Sequence, residues 1–208
     1  MSDHSPIIYV VDDDASVCRA LTVLLKANGF RVETFSSAAA FLAFKHPKLP
    51  ACLLLDVRLP DLNGPALQEV MADRKLAIPI VFISGHGSIP IGVKAMKRGA
   101  VDFLPKPFTE KDLLNAVERA ITRSKAQNKE GAEVEQIKHR IKTLSPRELE
   151  VFHLVAKGML NKQIASKRGT ALQTIKVHRV RVMHKMQAKT VTELIHFAQK
   201  AGIVPSSR

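Results

Sequence analysis

The chain has 208 residues, of which 46% are hydrophobic, so it can form one large globular domain or two small ones. Its two cysteines lack CxxC spacing, which argues against a disulfide framework or a zinc ribbon, and no apolar run approaches the roughly 18 residues of a membrane span. The net charge of +13 is uneven: residues 1–121 contain 14 basic and 13 acidic residues, whereas residues 138–208 contain 15 and 3.

The basic C-terminal part is expected to bind a polyanion, either nucleic acid or an anionic membrane, with a merely solvated basic surface as the alternative. Cys18 and Cys52 are expected to be reduced and buried, as is usual in the cytoplasm. The N-terminus lacks the basic region and apolar run of a signal peptide. We therefore expect a soluble cytoplasmic protein that does not enter the membrane.

From Ile7 to about Arg123, short apolar runs alternate with segments of helical periodicity, which predicts five βα units. Thr109 is the expected N-cap of the last helix, with Asp112 three residues later. Continuous apolar strands are typical of a parallel sheet covered on both faces, so a doubly wound α/β domain is expected. The units are IIYVV with a helix to Asn28, RVETF with a helix to His46, ACLLL with a helix to Arg74, IPIVFI with a helix from about Pro90, and AVDFL with a helix after Pro107.

The rest of the chain has no strand pattern. Residues 122–141 mix polar residues with Val134, Ile137 and Ile141, whose helical spacing predicts a partly helical linker. Breaks at residues 157–161, 168–172 and 187–190 divide the segment from Leu144 to Val204 into four helical segments. A small all-α domain is therefore predicted.

Polar side chains follow the predicted strands, at Asp12 and Asp13, Asp56, Ser84 and Lys106. Because the carboxyl ends of parallel strands meet at one edge of a sheet, these side chains are expected to converge. Clustered carboxylates repel one another unless a cation lies between them, and oxygen ligands with open water positions suit Mg²⁺. In phosphoryl transfer, Asp56 would attack, Lys106 would neutralise the phosphoryl oxygens and Ser84 would hydrogen-bond the product.

The segments YVVDDD, LLLDVRLPDLNG, VFISGHG and GAVDFLPKPF resemble, in order and spacing, the receiver domains of two-component response regulators. The resemblance covers residues 5–124 and implies a CheY/flavodoxin-like fold. It implies that Asp56 accepts a phosphoryl group from a cognate sensor histidine kinase. It also implies that Asp13, Asp56 and the backbone carbonyl of Arg58 hold Mg²⁺, while Asp12 supports the metal's waters.

The same resemblance implies a switch, in which Ser84 moves toward the phosphoryl group and Phe103 swings inward while Lys106 completes the site. Ser84 stands where many receiver domains have threonine, and either hydroxyl can donate the hydrogen bond. Three residues of the loop after Asp56 are assigned to turn formation rather than chemistry: Asp61, Asn63 and Gly64.

The basic segment begins with a strong helix start. Ser145 is a candidate N-cap, Pro146 occupies the first helical position, and Glu148 completes a capping box. Gly158 is expected to end this helix, and Asn161 to cap a short second helix. Two helices joined by a tight turn are therefore predicted.

The next helix, TIKVHRVRVMHKM, is predicted to be amphipathic. Ile175, Val182 and Met186 share one face. The remaining face is cationic and directed to solvent, and carries Lys176, Val177, Val180, Arg181 and His184. Such a helix after a short helix and turn is the arrangement that enters a DNA major groove, although an ordinary amphipathic surface helix has the same pattern.

LSPRELEVFHLVAKGMLNKQIA and TIKVHRVRVMHKM together resemble the LuxR-type helix-turn-helix over residues 142–204. Departures lie in the turn, where Ala171 replaces the usual serine cap and Arg168 and Thr170 occupy normally apolar places. The likeness implies groove-facing side chains at Thr174, Lys176, Val177, Val180 and Arg181. It implies phosphate contacts at Lys162, Arg179 and Lys185.

A receiver domain (residues 5–124), a helical linker (125–141) and a helix-turn-helix domain (142–204) together resemble the FixJ/NarL class of transcription factors. The implied function is phosphorylation-dependent control of promoter DNA binding, with a homodimer forming on phosphorylation. Catalysis is expected only as Mg²⁺-dependent self-phosphorylation at Asp56 from a phosphodonor and slow dephosphorylation.

Two other functions are compatible with parts of the pattern. A metallo-phosphatase with a nucleophilic aspartate would need a second aspartate two residues after Asp56, where Arg58 stands. A phosphorylation-independent adaptor could use the basic domain to bind anionic lipid. Binding to vesicles rather than to duplex DNA would distinguish the adaptor.

Overall fold

The computed structural model describes residues 5–47, 49–85 and 89–203, and the chain divides into two compact units, Met1–Lys129 and Glu130–Arg208. His86 and Gly87 of the VFISGHG segment, and the predicted domain end at Val204, lie outside the described residues. Across the described residues, no helix has both the length and the apolar character needed to cross a membrane.

The first unit contains a sheet of five parallel strands in the order β2-β1-β3-β4-β5. The strand order reverses between β1 and β3, so a crevice is expected at their carboxyl ends. The strands are β1 (Ile7–Val11), β2 (Arg31–Phe35), β3 (Ala51–Asp56), β4 (Ile80–Ser84) and β5 (Asp102–Pro105). The helices that alternate with them are α1 (Ala15–Ala27), α2 (Ala38–Ala43), α3 (Gly64–Asp73), α4 (Ile89–Lys97) and α5 (Glu110–Lys142).

The central strands β1, β3 and β4 are buried along their whole length. Successive side chains alternate between two core layers, as the pleat requires. Tyr9 and Phe82 lie in one layer, whereas Ile8 and Val81 lie in the other. The continuous apolar runs therefore belong to strands covered by helices on both faces, and the predicted doubly wound fold is confirmed.

Helix α2 is shorter than predicted, because it ends at Ala43 rather than continuing to His46. Phe44 is already extended, with ψ 142°. Its ring centroid lies 5.3 Å from that of Phe35, and the His46 ring lies 4.6 Å from that of Phe41. Packing of these aromatic rings takes residues 44–46 out of the helix.

Helix α5 is one continuous helix of 33 residues, so the linker is fully rather than partly helical. Its start matches the prediction: the Asp112 amide donates to the Thr109 hydroxyl (3.1 Å), and the Thr109 amide donates back to the Asp112 carboxylate (3.3 Å). The boundary between the two units falls inside this helix. Its C-terminal part belongs to the second unit, where Ile137 is 1% exposed.

The second unit adds the four predicted helices, α6 (Pro146–Ala156), α7 (Asn161–Arg168), α8 (Leu172–Met186) and α9 (Val191–Lys200). Phe152 of α6 and Leu194 of α9 are fully buried at 0% exposure. Ile175, Val182 and Met186 of α8 join the same core, as their spacing predicts. This core fixes which face of α8 points to solvent.

Candidate functional site

Polar side chains gather at the carboxyl edge of the sheet. Asp12 follows β1 directly, Asp56 and Ser84 are the last residues of β3 and β4, and Lys106 follows β5. Asp12, Asp56 and Ser84 are only 4%, 9% and 3% exposed, whereas Asp13 is exposed. Two acidic side chains are therefore held in a partly dehydrated position at the switch point of the sheet.

Lys106 joins the two buried carboxylates. Its ammonium lies 2.9 Å from Oδ2 of Asp12 and 3.2 Å from Oδ1 of Asp56. Burial alone would lower the pKa of Lys106, but the hydrogen bond and charge of Asp12, followed by those of Asp56, outweigh it and raise the pKa above its ordinary value. The lysine is therefore charged at neutral pH and offsets the repulsion between the carboxylates.

The second oxygen of Asp56 is held by the following loop, because the amide of Arg58 donates to Oδ2 at 2.6 Å. Burial raises the pKa of Asp56, while this amide and Lys106 act in the opposite direction. A carboxylate with poor solvation and fixed orientation is a better nucleophile toward phosphorus than one surrounded by water. The geometry therefore suits Asp56 to accept a phosphoryl group.

The loop after Asp56 owes its path to the three residues assigned to turn formation. A Cβ on Gly64 would lie 2.7 Å from the carbonyl oxygen of Asp56, so only glycine allows α3 to begin so close to the site. Asn63 caps α3 by accepting from the amide of Ala66 at 2.9 Å. Asp61 accepts from the amides of Ala38 and Ala39 and so ties the loop to the start of α2.

The donor atoms at this edge suit a hard cation. The available ligand atoms are the carboxylate oxygens of Asp12, Asp13 and Asp56 and the backbone carbonyl oxygen of Arg58. Oxygen is the ligand atom that Mg²⁺ prefers. The described residues contain no ready group of three or more His, Cys, Asp or Glu side chains able to hold a metal by themselves. Mg²⁺ usually keeps several waters and is bound by few protein ligands, so a Mg²⁺ site at this edge would be completed by water.

Phe103 lies in β5, which β4 separates from the strand of Asp56, and its ring is partly buried against α4. Ring atoms of Phe103 would be 3.3–3.5 Å from a Cβ placed on Gly92. Next to the ring, Val93 and Met96 of α4 are 49% and 43% exposed. An inward movement of Phe103 would therefore alter an apolar surface between α4 and β5.

In the second unit, backbone and side-chain contacts hold the turn between α7 and α8. Gly169 ends α7 in the left-handed region with φ 58°, and the Thr170 amide donates to the carbonyl of Ala165 at 3.1 Å. Arg168 pairs with Glu150 of α6, which explains a cation at a normally apolar place. Ala171 is the N-cap of α8 and makes no side-chain cap hydrogen bond.

The start of α7 differs from the prediction. Leu160, rather than Asn161, is the N-cap residue, and the side chain of Gln163 accepts from its amide at 2.8 Å. Asn161 is instead the first helical residue, and its side-chain oxygen accepts from the Arg179 guanidinium at 2.6 Å. Asn161 therefore joins α7 to α8.

Six of the eight residues predicted to contact DNA are exposed: Lys162, Thr174, Lys176, Val177, Val180 and Arg181. The other two are partly buried and bound within the unit. Arg179 donates to Asn161, while the Lys185 ammonium lies 2.7 Å from Oε2 of Glu148 and 3.0 Å from the carbonyl oxygen of Thr143. Arg179 and Lys185 therefore hold α8 against its neighbours, a role that their sequence pattern did not indicate.

Comparison with known proteins supports both units. Residues 8–118 match the family model described as the response regulator receiver domain, and residues 142–198 match that of bacterial regulatory proteins of the luxR family. Together the two matches cover most of the chain. Their order is the one that the two sets of motifs predict.

Similar proteins align over nearly the whole chain. Nodulation protein W of Bradyrhizobium diazoefficiens is 45% identical over 95% of this chain and 87% of its own length. Transcriptional regulatory protein FixJ of Rhizobium meliloti is 39% identical over 99% of this chain and 100% of its own. The solved structure of response regulator StyR is 42% identical, with a TM-score of 0.79 over 94% of this chain and 99% of that chain.

Proposed function

Because the chain belongs to the response regulators that join a receiver domain to a LuxR-type DNA-binding domain, we propose that phosphorylation of Asp56 controls its DNA binding. It is a transcriptional regulator rather than an enzyme that turns over a substrate. The observation that carries the proposal is the Lys106 ammonium between the carboxylates of Asp12 and Asp56. This arrangement combines an acceptor carboxylate with a fixed positive charge for the phosphoryl oxygens.

The phosphodonor is a phosphohistidine of a sensor kinase. A carboxylate oxygen of Asp56 attacks phosphorus, the P–N bond breaks, and the histidine leaves with the electron pair of that bond. Lys106 then binds the phosphoryl oxygens, and the Ser84 hydroxyl donates to them. Asp13, Asp56 and the Arg58 carbonyl would hold Mg²⁺, with Asp12 supporting its waters, and the ion would neutralise further phosphoryl charge.

The product differs electrically from the free carboxylate. An acyl phosphate adds about one negative charge at neutral pH and three acceptor oxygens, which compete with Asp12 for the Lys106 ammonium. Ser84 and Phe103 respond to this change, and the surface between α4 and β5 changes with Phe103. The signal leaves the receiver domain through that surface, and a homodimer forms.

The second unit acts on promoter DNA, which places the protein in the cytoplasm. Thr174, Lys176, Val177, Val180 and Arg181 face the major groove, and Lys162 contacts phosphate. Arg179 and Lys185, the other two residues expected to contact phosphate, also stabilise α8 through their bonds to Asn161 and Glu148. In a two-fold dimer, the two copies of α8 meet half-sites about 10 base pairs apart.

Intact-mass measurement tests the acceptor. The protein is incubated with Mg²⁺ and acetyl phosphate, and the wild type is compared with Asp56→Asn and with Asp73→Asn, an exposed carboxylate of α3 remote from the site in sequence. The wild type and Asp73→Asn should gain one phosphoryl group only with Mg²⁺, and Asp56→Asn should gain none. An adduct that persists in Asp56→Asn, or its absence from all three proteins, would refute the proposal.

A further inference from the structure

The exposed face of α8 carries an apolar patch among its cations. Val177 is 41% exposed and Val180 is 68% exposed. The residues lie three positions apart, so they are neighbours on one face of the helix. Aliphatic side chains left in water on a cationic helix gain free energy when another apolar group covers them.

The buried side of α8 fixes where these valines point. Ile175, Val182 and Met186 are 2%, 0% and 0% exposed in the core of the second unit. At about 100° per residue, Val177 and Val180 lie within roughly 40° of the direction opposite Ile175. The two valines therefore lie near the centre of the outward face, where the exposed side chains of Gln173 and His184 also lie.

The exposed cations lie on both sides of this centre. On the same helical projection, Lys176 is about 80° to one side and Arg181 about 60° to the other. Both side chains are exposed. In a major groove, long cations at the edges of the face reach phosphates or guanine edges, whereas short side chains at its centre meet the edges of the base pairs.

We propose that Val177 and Val180 recognise the C5-methyl group of thymine in the DNA bound by α8. Valine has no hydrogen-bond donor or acceptor in its side chain, and the thymine methyl is the apolar feature that base pairs present in the major groove. This inference rests on the proposed DNA binding and adds the base type that the centre of the face selects.

The test uses the full-length protein after treatment with Mg²⁺ and acetyl phosphate, and duplexes selected by it from a random pool. In a selected duplex, each thymine is replaced in turn by uracil, which removes only the methyl group, and dissociation constants are measured by fluorescence anisotropy. At one or more thymines, uracil should weaken binding by the wild type about fourfold. This penalty should disappear at the same positions in Val177→Ala or Val180→Ala.

Leu160→Ala is the matched control, because Leu160 is 67% exposed but lies outside α8. It should keep the full uracil penalty. Tolerance of uracil at every position, or an unchanged penalty in both valine variants, would overturn the methyl contact and assign the patch to another use, such as a protein contact. Failure to select any duplex would instead overturn the DNA binding itself, and the methyl contact with it.

Discussion

Glu148 links three parts of the second unit through one side chain. It completes the capping box of α6, because its Oε2 accepts from the Ser145 amide at 2.8 Å while its own amide donates to the Ser145 hydroxyl at 3.3 Å. The same oxygen pairs with Lys185 of α8. Glu148 is 4% exposed, so its charge depends on these partners.

Replacing Lys185 should therefore destabilise the second unit. Lys185→Met leaves the Glu148 carboxylate with one partner fewer and should lower the free energy of unfolding by about 1–2 kcal/mol, since partial exposure of the lysine screens the pair. Urea unfolding followed by circular dichroism measures the loss, with the exposed Lys167→Met as control. Equal stability of the two variants would show that the pair contributes little.

The same comparison has a predicted pH dependence. The hydrogen bond from Lys185, then that from the Ser145 amide, lowers the pKa of Glu148. A lowered carboxyl pKa stabilises the fold fully above the pKa of the unfolded state, and this contribution is lost as pH falls through the folded pKa. The difference between wild type and Lys185→Met should therefore be largest near neutral pH and shrink in acid.

Residues of the site could be predicted where their position in the local sequence determines their place in the fold. Asp12, Asp56, Ser84 and Lys106 follow apolar runs, and parallel strands bring their ends together. The roles of Arg179 and Lys185 were not predictable, because their partners Asn161 and Glu148 are 18 and 37 positions away. Only packing of α8 against α6 and α7 brings these groups into contact.

At the scale of elements, the N-cap residues of α8 and α6 can be changed in opposite directions, by adding a capping side chain to one and removing it from the other. Ala171 has the extended backbone of an N-cap, with φ −68° and ψ 143°, but no side-chain acceptor. Ala171→Ser should stabilise the second unit by about 0.5–1 kcal/mol, whereas Ser145→Ala should destabilise it by about 1 kcal/mol or more. Thermal unfolding of both variants measures the signs, and a destabilising Ala171→Ser would contradict the capping account.

The C-terminal part of α5 belongs to the core of the second unit. Ile137 is buried in that core, and Glu133 pairs with Lys200 of α9 at 2.7 Å. Ile137→Ala should therefore cost about 2–4 kcal/mol of unfolding free energy, because it leaves a cavity. Chemical unfolding should detect this loss. The control Lys138→Ala replaces the next residue, which is exposed, and should change the free energy of unfolding little.

Element types followed from periodicity, but some boundaries did not. Alternation of apolar runs with helical segments was sufficient to predict five strands in a doubly wound sheet. The early end of α2 depends on packing among Phe35, Phe41, Phe44 and His46, which local sequence does not encode. Continuity of α5 was underestimated because its polar middle has little apolar periodicity, although most of its residues favour helix.

At the scale of the whole molecule, nearly all of the excess positive charge lies in the C-terminal part of the chain. Residues 138–208 carry 15 basic and 3 acidic residues, so binding of this part to DNA should release counterions. With about six phosphate contacts, affinity should fall roughly 10³-fold between 50 and 200 mM salt. Anisotropy titrations at several salt concentrations measure the slope, and affinity independent of salt would contradict binding through phosphates.

The central claim is that phosphorylation of Asp56 changes the affinity of the second unit for DNA. The most direct test measures the dissociation constant of a selected duplex at constant Mg²⁺ with and without acetyl phosphate, for the wild type and for Asp56→Asn, with intact mass to establish the extent of phosphorylation. Phosphorylation should tighten binding by the wild type at least about tenfold, within the usual range of coupling between two sites, and acetyl phosphate should leave Asp56→Asn unchanged. Equal affinities for fully phosphorylated and unphosphorylated wild type would contradict the account, even if Asp56 carried the phosphoryl group.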